Sequence, residues 1–149
     1  MYSRILVAID ENPASERAVE HAAGLAKALS ATLRILHVVD MGWLTLGPEL
    51  AVDVETNAQA RRTAGERLLS SARDRARAAG VEAEIKLGET GAPMERIATE
   101  ITDEAARWPA DMVVLGTHGR RGVERLVLGS VAEGVARQSA IPVLLIPQA

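Results

Sequence analysis

The 149-residue chain has no cysteine, which excludes disulfides and thiolate metal centres. It also has no phenylalanine, one tyrosine and two tryptophans, so its core must be built from Val, Leu, Ile and Ala. An excess of positive charge is missing as well. The net charge of −3 points away from nucleic acid, a partner that selects a basic surface. No apolar run reaches the roughly 18 residues that a membrane span needs, so no membrane partner is expected. Met1-Tyr2-Ser3-Arg4 leads straight into a strand-like run rather than a signal peptide, and the expected location is cytoplasmic.

What remains is ordinary globular material, 48% hydrophobic and 25% charged. The length suits one domain over residues 1–149, and a chain of this size buries roughly 68–70% of its unfolded surface. No linker, internal repeat or low-complexity segment divides it.

Short apolar runs alternate with helical periodicity. Ile5 to Ile9 reads as a strand buried on both faces, ending at Asp10. Asn12 and Pro13 read as a helix start, with Ala18, Ala22, Leu25 and Leu29 following at helical spacing. Thr32 to Val39 is a second strand. Met41 to Ala51 is an irregular connection, and an amphipathic helix runs from about Asp53 to Ala79, stopped by Gly80. Val81 to Leu87 alternates and suits an edge strand. Pro93 opens a third helix with Met94, Ile97, Ala98, Ile101 and Ala105 inward. Met112 to Leu115 is a strand ending at Gly116. A last helix runs from Gly129-Ser130 to about Ser139, and a last strand from Ile141 to Ile146. This alternation argues for an α/β fold, a doubly wound, five-stranded parallel sheet with helices on both faces, and the order expected is 3-2-1-4-5, which reverses beside the first strand.

In such sheets ligands bind beyond the carboxyl ends of the strands where the order reverses. Here those ends are Ile9-Asp10 and Leu115-Gly116. After the latter comes Gly116-Thr117-His118-Gly119-Arg120-Arg121-Gly122, then Gly129-Ser130, a G-x2-G-x9-G-S pattern. Glycines let main-chain N–H groups come close to an anion. Gly129-Ser130 stands where a helix dipole favours phosphate. Arg120 and Arg121 add positive charge, and His118 lies within reach of phosphate. The competing reading is that the glycines only shape a long loop. There is no Gly-Lys-Ser/Thr, so this is not a Walker loop, and the glycines follow the wrong strand for a dinucleotide fingerprint.

Ala110 to Gly119, then Leu128-Gly129-Ser130-Val131-Ala132-Glu133 and Ile141-Pro142-Val143-Leu144, resemble the signature of the universal stress proteins. Arg4 to Asp10 and Leu36-His37-Val38-Val39 extend the resemblance over essentially the whole chain. The complete G-x2-G-x9-G-S pattern resembles that of the family's ATP-binding branch. The resemblance implies an adenine nucleotide alpha hydrolase-like fold and a small regulatory or stress-response module. Its ligand would be ATP, or AMP or ADP, with Mg²⁺ held through the phosphates rather than by protein ligands. Asp10 would accept from the ribose hydroxyls, and Val38 would meet the adenine edge through its main chain. Gly116, Gly119, Gly129 and Ser130 would bind phosphate, with Val131 beside them. Ala8 stands where some ATP-binding members have Pro, and Glu124 sits among Arg120, Arg121 and Arg125. Each role has a structural alternative: Asp10 as part of the helix start, Val38 as plain core, and His37 as a satisfied buried histidine.

No residue set for efficient catalysis is evident, since phosphoryl transfer to water needs a positioned nucleophile. A slow ATPase and an interaction module with an idle nucleotide site stay open as alternatives. A phospho-receiver domain is set aside, because Leu87-Gly88-Glu89 and Ile146-Pro147-Gln148 lack its Asp and Lys. Trp43, Leu44 and Leu46 read either as a flap over the base or as packing against a helix. The apolar last strand, 141–146, would be a sheet edge, and an antiparallel homodimer through it is expected.

Overall fold

The aliphatic runs form a five-stranded sheet in the computed structural model, which describes residues 1–41, 54–91, 96–117 and 128–148. The elements are β1 (Arg4–Ile9), α1 (Ala14–Leu29), β2 (Thr32–Asp40), α2 (Val54–Ala78), β3 (Glu84–Thr90), α3 (Ile97–Arg107), β4 (Met112–Gly116), α4 (Ser130–Gln138) and β5 (Val143–Ile146). Every strand pair is parallel and the order is β3-β2-β1-β4-β5, as expected. The chain therefore winds outward from β1 in one direction, returns to its other side with β4, and continues to β5. The reversal lies between β1 and β4, where Ala8 pairs with Leu115.

Alternation along β1 sorts the core into two layers. Ile5, Val7 and Ile9 pack with α1 and α2, while Leu6 and Ala8 pack with α3 and α4. α1 meets the sheet through Ala18, Ala22, Ala23 and Ala26, small residues that let the helix lie close. Pro13 already has helical dihedrals, and the Asn12 side chain accepts the Ala14 N–H at 3.1 Å, so the expected helix start is present. Ser30 ends α1 in the left-handed region, and Gly80, at φ +88°, follows α2.

Several element bounds differ from the periodicity reading. β3 starts at Glu84 rather than Val81 and runs on to Thr90, because Val81 is buried against the helical layer before the ladder begins. β5 starts at Val143 rather than Ile141. Ile141 is tied back to Ser139 by a hydroxyl bridge, and the Pro142 carbonyl already accepts from Val113. α3 begins at Ile97, with Ala98, Ile101 and Ala105 buried as expected. Pro93 and Met94 lie outside the described residues.

Toward the amino ends of the strands, a charge network anchors α3 to β2. Glu104 is only 3% exposed and receives Arg34 at 2.8 Å and Arg107 at 3.2 Å. Arg34 also reaches Glu84 at 2.7 Å and lies over the Trp108 ring, 4.6 Å from its centre. Burial opposes the Arg34 charge, but the hydrogen bonds to Glu84 and Glu104 outweigh it and hold the guanidinium above its ordinary range. Replacing Glu104 with Gln should cost about 2 kcal/mol in urea unfolding, since Arg34 and Arg107 lose the buried negative charge they share while Arg34 keeps Glu84. A change under about 0.5 kcal/mol would mean that the network contributes little.

Candidate functional site

The carboxyl ends of β1 and β4 open onto a cleft on the α3–α4 side of the sheet. It has about 500 Å³ of empty space, open solvent included, and is lined by Ala8, Ile9, Asp10, Ser15, Val38, Ile97, Ile101, Leu115, Gly116, Val131 and Ala132. Of these lining residues only Asp10 and Ser15 carry polar side chains. The walls are otherwise aliphatic, suited to the face of a flat organic ring, with one carboxylate at the edge.

Asp10 is held by the turn that leads into α1. Its Oδ1 accepts from the Asn12 N–H at 2.9 Å and from the Ser15 hydroxyl at 2.9 Å. The Asp10 N–H in turn donates to Ser15 Oγ at 2.9 Å. One residue earlier, His37 Nδ1 lies 2.8 Å from the Ile9 carbonyl, so that nitrogen carries the proton. His37 is thus a satisfied buried histidine, as its place in β2 suggested, and Asp10 does take part in the helix start.

The cleft's other wall is the beginning of α4. Gly129 is extended, at φ −63° and ψ 159°, and Ser130 is the first helical residue. The Glu133 N–H closes the first turn on the Gly129 carbonyl at 2.9 Å. The preceding N–H groups of a helix have no intrahelical acceptor, and they carry the positive end of its dipole. Val131 and Ala132 face the cleft.

The structure thus brings Ala8, Asp10, Val38, Gly116 and Val131 together around one cleft, with Gly129 and Ser130 at the start of its α4 wall. His118, Gly119 and Arg120 lie outside the described residues, as do Arg121, Glu124 and Arg125, and Trp43, Leu44 and Leu46. Gly116 also has a packing role, since a Cβ there would sit 2.8 Å from Ala14 Cβ and 2.9 Å from the Ala14 carbonyl carbon. Sequence reading missed Ser15 as part of this site. Its place five positions after the acid that ends β1 was the available signal. Ile97 and Ile101, read only as core, also line the cleft.

A second crevice, between α1 and α2 on the opposite sheet face, shares Ile9, Asp10 and Ser15. Its cation, Arg75, is paired with Glu20 at 2.7 Å and with Glu16 at 3.4 Å, leaving a surface unsuited to an anion. Among the described residues no group of three or more His, Asp or Glu could hold a metal ion. Among those residues, too, no helix is long and apolar enough to cross a membrane.

Comparison with known proteins gives concordant results. The sequence model of the universal stress protein family matches residues 1–147. A universal stress protein of Methanocaldococcus jannaschii is 32% identical over 146 residues, covering 98% of this chain and 82% of the relative. The universal stress protein from Archaeoglobus fulgidus, solved in complex with dAMP, is 25% identical with a TM-score of 0.69, over 97% of this chain and 98% of that one. A universal stress protein solved in complex with cAMP is 26% identical with a TM-score of 0.66, over 99% and 98%.

Gly116 can be tested apart from any ligand. Gly116→Ala should lower stability by about 1–3 kcal/mol, because a methyl group would press on the Ala14 main chain, which cannot swing away. Thermal unfolding monitored by circular dichroism reads this directly, and an unchanged midpoint would show that β4 and α1 can separate without cost.

Proposed function

This chain belongs to the universal stress protein family, and from that premise we propose that it is an ATP-binding regulatory module of the stress response. The observation that carries the reading is the cleft itself. An aliphatic slot, a fixed carboxylate and the amino end of a helix converge at the point where the strand order reverses. These parts match the three parts of a nucleotide. Val38 and the aliphatic walls receive the base, with the Val38 main chain at its edge. Asp10 accepts from the ribose hydroxyls. Gly129, Ser130 and Val131 offer main-chain N–H groups to phosphate, and His118, Gly119 and Arg120 complete the phosphate loop. Related proteins solved with dAMP and cAMP support an adenine nucleotide as ligand. Mg²⁺ would ride on the phosphates, which suits a cation that keeps most of its own water.

Binding rather than turnover is the function. Asp10 is the one titratable group among the described residues lining the cleft, and this reading places it on the sugar. We take any hydrolysis by the pure protein to be slow. The module works in the cytoplasm as a homodimer paired through β5, whose Val143, Leu144 and Leu145 are only half-buried along the outer edge of the sheet.

Calorimetric titration with ATP tests the site. Wild-type protein should bind, and Gly129→Val should weaken binding by about 100-fold or more, the size of two lost charge-assisted hydrogen bonds. The circular dichroism spectrum should stay intact, because extended backbone accepts valine. Equal affinities for the two proteins would count against the α4 wall as the phosphate site. For the dimer, light scattering should give twice the chain mass of 15.8 kDa at micromolar concentration. The monomer mass over the whole concentration range would rule the dimer out.

A further inference from the structure

We propose that Ser15 is a positioning residue, whose hydroxyl pre-orients the Asp10 carboxylate for the vicinal hydroxyls of a bound nucleotide's ribose. The inference rests on the reading of Asp10 given above and extends it to a residue which that reading did not include. Ser15 is 7% exposed and lines the cleft. Its hydroxyl has one proton and accepting lone pairs. The proton goes to Asp10 Oδ1 and a lone pair takes the Asp10 N–H, each at 2.9 Å. One hydroxyl therefore grips both the side chain and the main chain of the same acid.

A serine in the first turn of a helix ordinarily serves the helix start. Here that work is done by Asn12, whose Oδ1 takes the Ala14 N–H and whose carbonyl takes the Ser15 N–H at 2.9 Å. The Ser15 hydroxyl is directed at Asp10 instead. The Asn12 N–H supplies a second donor to the same Oδ1, and His37 fixes the Ile9 carbonyl just before it. The effect of these bonds is to set the plane of the carboxylate beforehand, so that binding orders one side chain fewer.

The test is a calorimetric comparison of ATP with 2′,3′-dideoxy-ATP, which lacks both ribose hydroxyls, on wild type and Ser15→Ala. Alanine suits the first turn of a helix, so the variant should fold, and its melting curve is recorded alongside. Wild type should prefer ATP. In Ser15→Ala that preference should shrink about 10-fold, the effect of one side chain left to be ordered on binding, while dideoxy-ATP affinity stays within about twofold. In an Asp10→Ala background, Ser15→Ala should leave the ratio unchanged, because the two residues act as a unit. A merely structural serine would weaken both nucleotides equally, or lower the melting temperature with the ratio intact, and either result would overturn the proposal. Wild type that binds ATP without preferring it over the dideoxy analogue would remove the ribose role of Asp10 and this proposal, yet leave the phosphate site standing. Wild type that binds neither nucleotide would overturn the proposed function and the inference together.

Discussion

Beyond Ile9 the ladders of β1 run out. The last partner on one side is His37 and on the other Leu115, yet the chain must turn at once into α1 while still surrounded by other elements. Main-chain groups stranded at such a place cost free energy unless something receives them. Side chains do so here: His37 for the Ile9 carbonyl, and Ser15 for the Asp10 N–H. This one turn decides where α1 starts, how near β4 can come, and where the carboxylate of the cleft is held. The site is thus a by-product of finishing the central strand correctly.

Close approach is the second condition. With no phenylalanine and few other aromatics, the layers cannot be spaced by large rings, and small residues let aliphatic side chains interlock. Gly65 of α2 sits over the β2–β3 surface, where a Cβ would lie 2.8 Å from Leu87 and 3.0 Å from His37. Gly134 of α4 does the same against α3, 2.7 Å from Ala98. Both helices that flank the cleft are therefore pressed together by the absence of a side chain. The first turn of α4 inherits its position from that contact and from Ala132 and Val135 beneath it.

Much of this was legible in the chain because strands buried on both faces read as unbroken aliphatic runs, and β1 and β4 are of that kind. Alternation made the parallel sheet legible and right-handed crossovers put helices on both faces, although other doubly wound orders satisfy both. The strand starts misread were those where burial and pairing part company. Val81 and Ile141 are both apolar and packed, yet neither is in the ladder. Asp10 and the start of α4 were legible as candidates because a strand end followed by a helix start has few chemical solutions. Ser15 was not, because a serine at the head of a helix looks alike whether it serves the helix or a neighbour. Only the geometry, with Asn12 already serving the helix, separates the two.

The network at the far end of the sheet has an optical consequence. The guanidinium carbons of Arg34 and Arg4 lie over the Trp108 ring, 4.6 Å and 5.9 Å from its centre. Arg4 opens β1 and Asp10 follows its end, so this indole sits the length of the strand away from the cleft. Its surroundings change if α3 leaves β2, so its emission should report that docking. The chain has only one other tryptophan, Trp43. An unlabelled sample thus carries its own report on whether α3 stays docked on β2.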